Sequence, residues 1–182
     1  MKRKVLGILL ALGLTAVLAA CGGGESGGSP SGGQPSAAPS QSGTVTGEDG
    51  ELAFIVSAAN NYAVKIDADM ADVLAALGEP QSYFEAASCA FEGLDKTYTY
   101  TGFTVTTRPD GDKDYVNSIL LTDDSVTTPE GVYIGAPAED VLAAYGEGGS
   151  SDAVLSYVIG NTALNFIMQD GAVISIEYIP AS

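Results

Sequence analysis

The sequence predicts an α+β domain of two tandem units, each a short helix packed on an antiparallel β-meander. The octet DVLAALGE at residues 72–79 recurs at residues 140–147 as DVLAAYGE. In the longer pair, residues 64–79 and 132–147, ten of sixteen positions are identical without a gap. Each copy precedes three segments with the alternating apolar pattern of half-buried strands. The repeated octet therefore indicates a repeated helix-and-sheet unit.

Each octet lies within a predicted amphipathic helix. Asp69 opens the first helix and Pro137 the second, as acids and proline favour a first turn. Gly78 and Gly146 stand where a left-handed C-cap is expected. At about ten residues, each helix is shorter than the ~12–15 that an isolated helix needs in water, so its apolar face must be covered. Residues spaced i, i+3, i+4 and i+7 form these faces: Met70, Val73, Leu74 and Leu77 in the first copy, and Ala138, Val141, Leu142 and Tyr145 in the second.

Three strands are predicted to cover each helix. The turns between strands of the second copy are Gly160-Asn161 and Asp170-Gly171, which suit hairpins. The pattern V-x-S-I recurs in the last strand of each copy and fixes its register. The predicted strands are residues 97–100, 103–108 and 115–121 in the first copy, and 155–159, 162–168 and 172–179 in the second.

An additional hairpin is predicted before the first unit. Residues 52–57 and 62–66 are rich in strand-forming side chains and flank Asn60-Asn61. The apolar run of the first segment is equally compatible with the start of a helix.

The first twenty residues have the pattern of a secretory signal. Three basic residues precede an apolar run at residues 5–20, which is too short for an ordinary membrane span. The run ends in Leu18-Ala19-Ala20-Cys21, which resembles the lipobox of bacterial lipoprotein signals. That resemblance implies cleavage before Cys21 and a diacylglycerol on its thiol. The alternative is an ordinary cleaved signal followed by an unmodified cysteine.

Residues 22–50 are predicted to form a disordered tether. Gly, Ser and Pro fill nineteen of these twenty-nine positions, so the segment buries too little apolar surface to offset its ordering entropy. As a flexible coil it would span about 30 Å. The remaining residues, 51–182, have the size of one domain, with the first unit at about 62–122 and the second at about 131–180.

The charge of the exported chain disfavours two classes of partner. Removal of residues 1–20 leaves four basic residues against twenty-three acids, a net charge of −19. Nucleic acids and anionic lipids are bound mainly through Lys and Arg, so neither is expected as a partner. The acidic surface suits a cationic partner or divalent ions, and equally serves solubility alone.

Cysteine and histidine usage limits the chemistry. Cys89 is the only cysteine besides Cys21, so we expect no disulfide and a small buried thiol. Histidine is absent, which excludes Ser-His-Asp and Cys-His catalysis and removes the commonest zinc ligand.

The predicted architecture resembles a known fold family. A helix ending in LG, followed by an antiparallel meander and doubled in tandem, is similar to the β-lactamase-inhibitor-protein fold and to small outer-membrane assembly lipoproteins. Segments 88–100, 111–115 and 123–135 also resemble uncharacterised lipoproteins of anaerobic Gram-positive bacteria. The resemblance implies a concave sheet face that grips another protein, although the disulfides of the inhibitor are missing here.

An acidic hairpin is a weak candidate for calcium binding. Asp110, Asp112 and Asp114 stand at alternate positions, like the first three ligands of a calcium loop. Tyr115 replaces the turn glycine and Leu121 replaces the bidentate glutamate of that motif. The alternative is a three-residue hairpin insertion rich in turn-forming residues.

Four tyrosines on predicted strands are candidate partner contacts: Tyr98, Tyr100, Tyr157 and Tyr178. Tyrosine is enriched at interfaces because it adds contact area at low entropic cost, but it is also a common structural residue of sheets. Residues 88–96 have no counterpart in the second copy, which indicates either a functional segment or a longer connection.

These observations favour a non-catalytic, lipid-anchored binding or scaffold module, without a cofactor, on a Gram-positive cell surface. It would recognise a protein or a cell-envelope component through its sheet face. The alternative is a surface lipoprotein that responds to calcium or a small ligand through the acidic hairpin. Catalysis by paired carboxylates, as in glycoside hydrolysis, has little support because no aromatic cleft pattern accompanies the acids and Trp is absent.

Overall fold

The computed structural model describes residues 51–151 and 153–182, with Ser150 described through its backbone only. The α+β fold class is confirmed, with two helices and mainly antiparallel sheet. The predicted signal, Cys21 and the predicted tether lie outside the described residues. In chain order the elements are β1 (Phe54–Val56), β2 (Tyr62–Val64), α1 (Met70–Leu77), β3 (Ser82–Ala87), β4 (Leu94–Tyr100), β5 (Phe103–Asp110), β6 (Lys113–Leu121), α2 (Ala138–Tyr145), β7 (Gly149–Ser151), β8 (Val154–Ile159), β9 (Thr162–Gln169) and β10 (Ala172–Pro180).

Eight strands form one antiparallel sheet in the order β3-β4-β5-β6-β10-β9-β8-β7. The strands β1 and β2 form a separate hairpin, as the sequence predicts, and its turn carries Asn60 and Asn61 at positive φ. The two halves of the sheet meet where β6 pairs with β10 over only three residue pairs, centred on Leu120 opposite Glu177.

The first halves of β6 and β10 pair with the segments that lead into the helices. A bridge joins Asp69 to Tyr115 of β6, and another joins Pro137 to Ala172 of β10. Each helix therefore starts from a segment that is hydrogen-bonded to the sheet.

Both helices begin and end near the predicted residues. The Asp69 carboxylate accepts a hydrogen bond from the Ala71 N–H at 3.0 Å and caps α1. Gly78 and Gly146 end the helices at φ of about 80°, but their ψ of −164° lies outside the left-handed helical region that was expected. This extended positive-φ conformation is nearly restricted to glycine, because other residues have a clashing Cβ.

One face of the sheet is buried. Along β5, Phe103, Val105 and Thr107 are buried, while Thr104 and Thr106 are partly exposed, in the alternation expected of a sheet with one covered face. The core cluster joins Phe103 and Val105 to Phe54 of β1, Val73 of α1 and Val141 of α2. We call this side the covered face and the other side the open face.

Two further features differ from the sequence predictions. The strands β3 and β7, at the two edges of the sheet, were not predicted. Cys89 is exposed rather than buried, because it lies in the β3–β4 connection. Among the described residues, no helix is long and apolar enough to span a bilayer.

Candidate binding surface at the β3 edge

Three of the four predicted contact tyrosines lie in the core. Tyr98, Tyr100 and Tyr178 are on the covered face, and Tyr178 is only 1% exposed. Their side chains are buried, so their prediction as exposed partner contacts is corrected, although Tyr100 also lines a cleft beside the β1–β2 hairpin. Tyr157 is half-buried against Tyr145, with ring centroids 5.1 Å apart.

Two tyrosines instead tie the sheet to the helix ends. The Tyr100 hydroxyl donates to the Gly78 carbonyl at 3.3 Å, and the Tyr157 hydroxyl donates to the Gly146 carbonyl at 2.8 Å. Carbonyls at a helix C-terminus lack intrahelical partners, so these hydrogen bonds satisfy groups that would otherwise need water.

The three predicted calcium ligands do not converge. Asp114 forms an ion pair with Lys96 at 2.6 Å, and Asp112 lies exposed in the β5–β6 turn. Asp110 is opposite Lys113, whose ammonium contacts Asp69 at 2.7 Å. Nowhere in the described part of the chain do three or more carboxylates or thiols gather as a metal site.

The edge strand β3 is the most exposed element of the sheet. All six of its residues are exposed, and it pairs only with β4. The Ser88 N–H donates to the Gly93 carbonyl at 3.0 Å, in the register of the β3–β4 ladder. Antiparallel pairs alternate between hydrogen-bonded and non-hydrogen-bonded, so the backbone groups of Tyr83, Glu85 and Ala87 point away from β4.

Large apolar side chains are concentrated beside this edge. Of the eight large hydrophobic residues exposed in the described part of the chain, four lie between residues 83 and 94. Phe84 is 66% exposed and Phe91 is 47% exposed. We call the following residues the edge surface: Tyr83, Phe84, Glu85, Phe91 and Leu94.

Contacts within and behind the edge surface hold its side chains in place. The Tyr83 hydroxyl donates to the Glu85 carboxylate, and this hydrogen bond raises the pKa of Tyr83. The Tyr83 ring lies 5.1 Å from that of Tyr98 in the core. Arg108 lies over the Phe91 ring at 5.9 Å, and its guanidinium is fixed by Asp67 at 3.0 Å.

The charge around the edge surface is negative. Glu85, Glu92 and Asp95 are exposed on β3, β4 and their connection. Lys96 is the one basic residue between residues 81 and 96, and the hydrogen bond from its ammonium to Asp114 raises the pKa of Lys96. The local acids therefore outnumber the bases, and the lysine already has an acidic partner.

The described residues also form a cleft. It has a volume of about 850 Å³ and lies between the β1–β2 hairpin, the end of α1 and residues 125–129. Its lining includes Tyr100 and Leu77 but no carboxylate, lysine or arginine. It therefore lacks the paired carboxylates that glycoside hydrolysis would need.

Little in the amino-acid pattern indicates the edge surface. Tyr83 and Phe84 are adjacent, so they do not alternate as the residues of a half-buried strand do. The one available signal is that residues 88–96, which contain Phe91 and Leu94, have no counterpart in the second copy of the repeat.

No protein-family model, curated protein or solved structure was found to match this chain. The resemblance to the β-lactamase-inhibitor-protein fold stays a prediction.

Proposed function

We propose that the chain is a non-catalytic, lipid-anchored binding module outside the cytoplasm that captures a polypeptide through the edge surface. The observation that carries this proposal is the exposure of Phe84 and Phe91 beside a strand with an unpaired outer side. Large apolar side chains that are exposed close together along one edge of a domain are typical of interaction sites. We therefore assign partner recognition to the β3 edge and the open face next to it, and not to the buried tyrosines.

The β3 edge lacks several of the usual protections against pairing. Natural edge strands are blunted by lysine, proline, bulges or short length. The six residues of β3 contain neither lysine nor proline, and the β3–β4 ladder has no register shift. The opposite edge strand, β7, is only three residues long. Because only the β3 edge of the sheet is long and open to pairing, we infer that β3 pairs with a partner.

The scaffold is proposed to be a tandem of two related units. Both helix-end glycines donate to the carbonyl four residues earlier, at 2.9 Å in Gly78 and 2.8 Å in Gly146. Two further hydrogen bonds recur at corresponding places. They are Val116 N–H to Ala68 O and Val173 N–H to Ala136 O, both 2.9 Å, and Thr122 N–H to Gly102 O and Ala181 N–H to Asn161 O, both 2.8 Å. Shared hydrogen bonds of this kind support a duplicated unit beyond the repeated octet.

Anchoring is proposed through a lipid on Cys21, with residues 22–50 as the tether. A span of about 30 Å would hold the domain away from the membrane and leave the β3 edge accessible. The calcium-responsive alternative gains no support, because Asp114 is already paired with Lys96.

A matched pair of double variants tests the proposal. The edge variant carries Phe84→Ser and Phe91→Ser, and the control carries Val158→Ser and Ile174→Ser, two exposed apolar residues of the other half of the sheet. Partners are recovered from envelope extract with the full-length lipoprotein. We expect the control to retain the partners of the wild type and the edge variant to lose them. Equal recovery by both variants would contradict the proposal.

A further inference from the structure

We infer that the edge surface binds an extended polypeptide segment with alternating basic and apolar residues, which adds to β3 as a ninth strand. This inference rests on the proposed function and specifies its partner. Strand addition is a common way to recognise peptides, in which the backbone supplies affinity and alternate side chains supply specificity.

The backbone of β3 provides the template for strand addition. Tyr83, Glu85 and Ala87 direct three N–H and three C=O groups outward, and no described residue bonds to these groups. An extended segment in antiparallel orientation can pair with all of them over five residues. The absence of a bulge in the β3–β4 ladder keeps this row of groups regular.

The two sides of β3 differ in chemistry. Glu85 and Tyr83 project on the covered-face side, as shown by their pairing with Lys96 and Tyr98. Phe84 pairs with Thr97 and projects on the open-face side. A side chain of the added strand therefore meets a carboxylate on one side and an aromatic ring on the other, which selects alternating basic and apolar residues.

Charge supports a basic partner over a second copy of this chain. Two copies paired through β3 would bring together two Glu85 carboxylates and the acids Glu92 and Asp95 of each copy. Like charges near one another across a strand pair are destabilising. A basic segment meets the same acids with attraction, and most strongly at low ionic strength.

The test measures binding of a fluorescent eight-residue peptide of alternating lysine and valine to the full-length lipoprotein in detergent. Ala87→Pro removes an outward N–H without removing a bond to β4, whereas Ala87→Val keeps that N–H and the same charge. We expect Ala87→Pro to weaken binding about tenfold or more, and Ala87→Val to stay close to the wild type. Equal binding by the two variants would indicate only general charge attraction and would overturn the inference.

A charge exchange tests the second half of the inference. Glu85→Lys is expected to weaken binding of the lysine peptide and to strengthen binding of an otherwise identical glutamate peptide. An unchanged preference for the lysine peptide would show that Glu85 does not select the partner.

Hydrogen exchange of the wild type provides a measurement that does not depend on how the variants fold. The amides of Tyr83, Glu85 and Ala87 should become protected when the lysine peptide is added, while those of the distant β8 strand should not change. Lack of protection at β3 would overturn strand addition, as would a concentration-dependent dimer that Ala87→Pro abolishes. If the peptide fails but the Phe84/Phe91 variant still loses its envelope partner, the proposed function stands and only this inference falls.

Discussion

The Tyr145 hydroxyl donates a hydrogen bond to the Glu130 carboxylate and so ties α2 to the connector between the two halves of the chain. Burial is the main cause of the raised pKa of Tyr145, which keeps the hydroxyl protonated as a donor. The other Glu130 oxygen and the Tyr178 hydroxyl are also buried, but neither has a partner among the described residues. Of the two buried tyrosines near Glu130, Tyr145 therefore donates a hydrogen bond to its carboxylate, whereas the Tyr178 hydroxyl has no partner among the described residues.

This difference predicts opposite effects of two similar substitutions. Tyr145→Phe removes a donor from a carboxylate with a buried oxygen and should lower the free energy of unfolding by about 1–3 kcal/mol. Tyr178→Phe removes a hydroxyl without a protein partner and should leave stability unchanged or raise it. Urea unfolding of both variants measures the difference, and an equal loss in the two would contradict this assignment.

The helix-end glycines predict a second matched pair. Gly78 and Gly146 have φ of 79° and 80°, and a Cβ at either site would contact nothing within 4 Å. Substitution by alanine therefore strains the backbone without causing a steric clash, and should lower the free energy of unfolding by about 1–3 kcal/mol at each site. Gly149→Ala should cost less, because its added Cβ also meets nothing within 4 Å and its φ lies outside the positive region. Thermal unfolding measures all three, and a loss confined to one helix would count against equivalent helix ends.

The cap of α1 predicts a specific response to acid. The hydrogen bond from Lys113 and then that from the Ala71 N–H lower the pKa of Asp69 below its usual 3.8. A carboxyl whose folded pKa is lowered adds stability above its unfolded pKa and loses it as pH falls through the folded value. The melting temperature of the wild type should exceed that of Asp69→Asn near pH 6, and the gap should close below about pH 3.8.

Asparagine is also a good N-cap, so this comparison isolates the charge of Asp69 from its capping role. Asp124→Asn, at an exposed acid in the connector, provides the control for general relief of charge repulsion. A gap that persists unchanged at low pH would show that the pair with Lys113 contributes nothing.

The exposed thiol predicts selective labelling. Cys89 is exposed in the native fold, and Cys21 is proposed to be acylated, so a maleimide should modify the folded chain once and without denaturant. Mass spectrometry of the native protein and of Cys89→Ser measures this. A native chain that reacts only after unfolding would contradict the exposure of the β3–β4 connection.

The interior strands were predictable because each one alternates. In β9, Leu164, Phe166 and Met168 are buried on one face, and the predicted boundaries hold to within a residue or two. The helices were predictable because the apolar spacing, the Asp69 cap and the closing glycines agree. In such segments local sequence and tertiary environment favour the same structure.

The edges and the binding surface were not predictable for the opposite reason. An edge strand such as β3 is exposed on both faces and carries no alternation, so its pairing appears only when β4 is in place. The tyrosines of β4 were misassigned because their strand is otherwise threonine, and the sequence does not show which face the helices cover. Tyr98, which the sequence predicts as a partner contact, is buried in the core, whereas Phe84 is exposed at the edge of the sheet.

The narrow junction between β6 and β10 has a practical consequence for protein engineering. Only three backbone pairs join the halves there. If the chain were divided between β6 and α2, within residues 122–137, the first fragment would keep six strands and the second four, each with one helix. Reassembly of such a split protein would depend on side-chain packing and on cross-fragment contacts such as Asn161 to Asp67, rather than on a continuous ladder. The domain is thus suited to a complementation reporter in which the proposed capture of a peptide by the first fragment is read out through its association with the second.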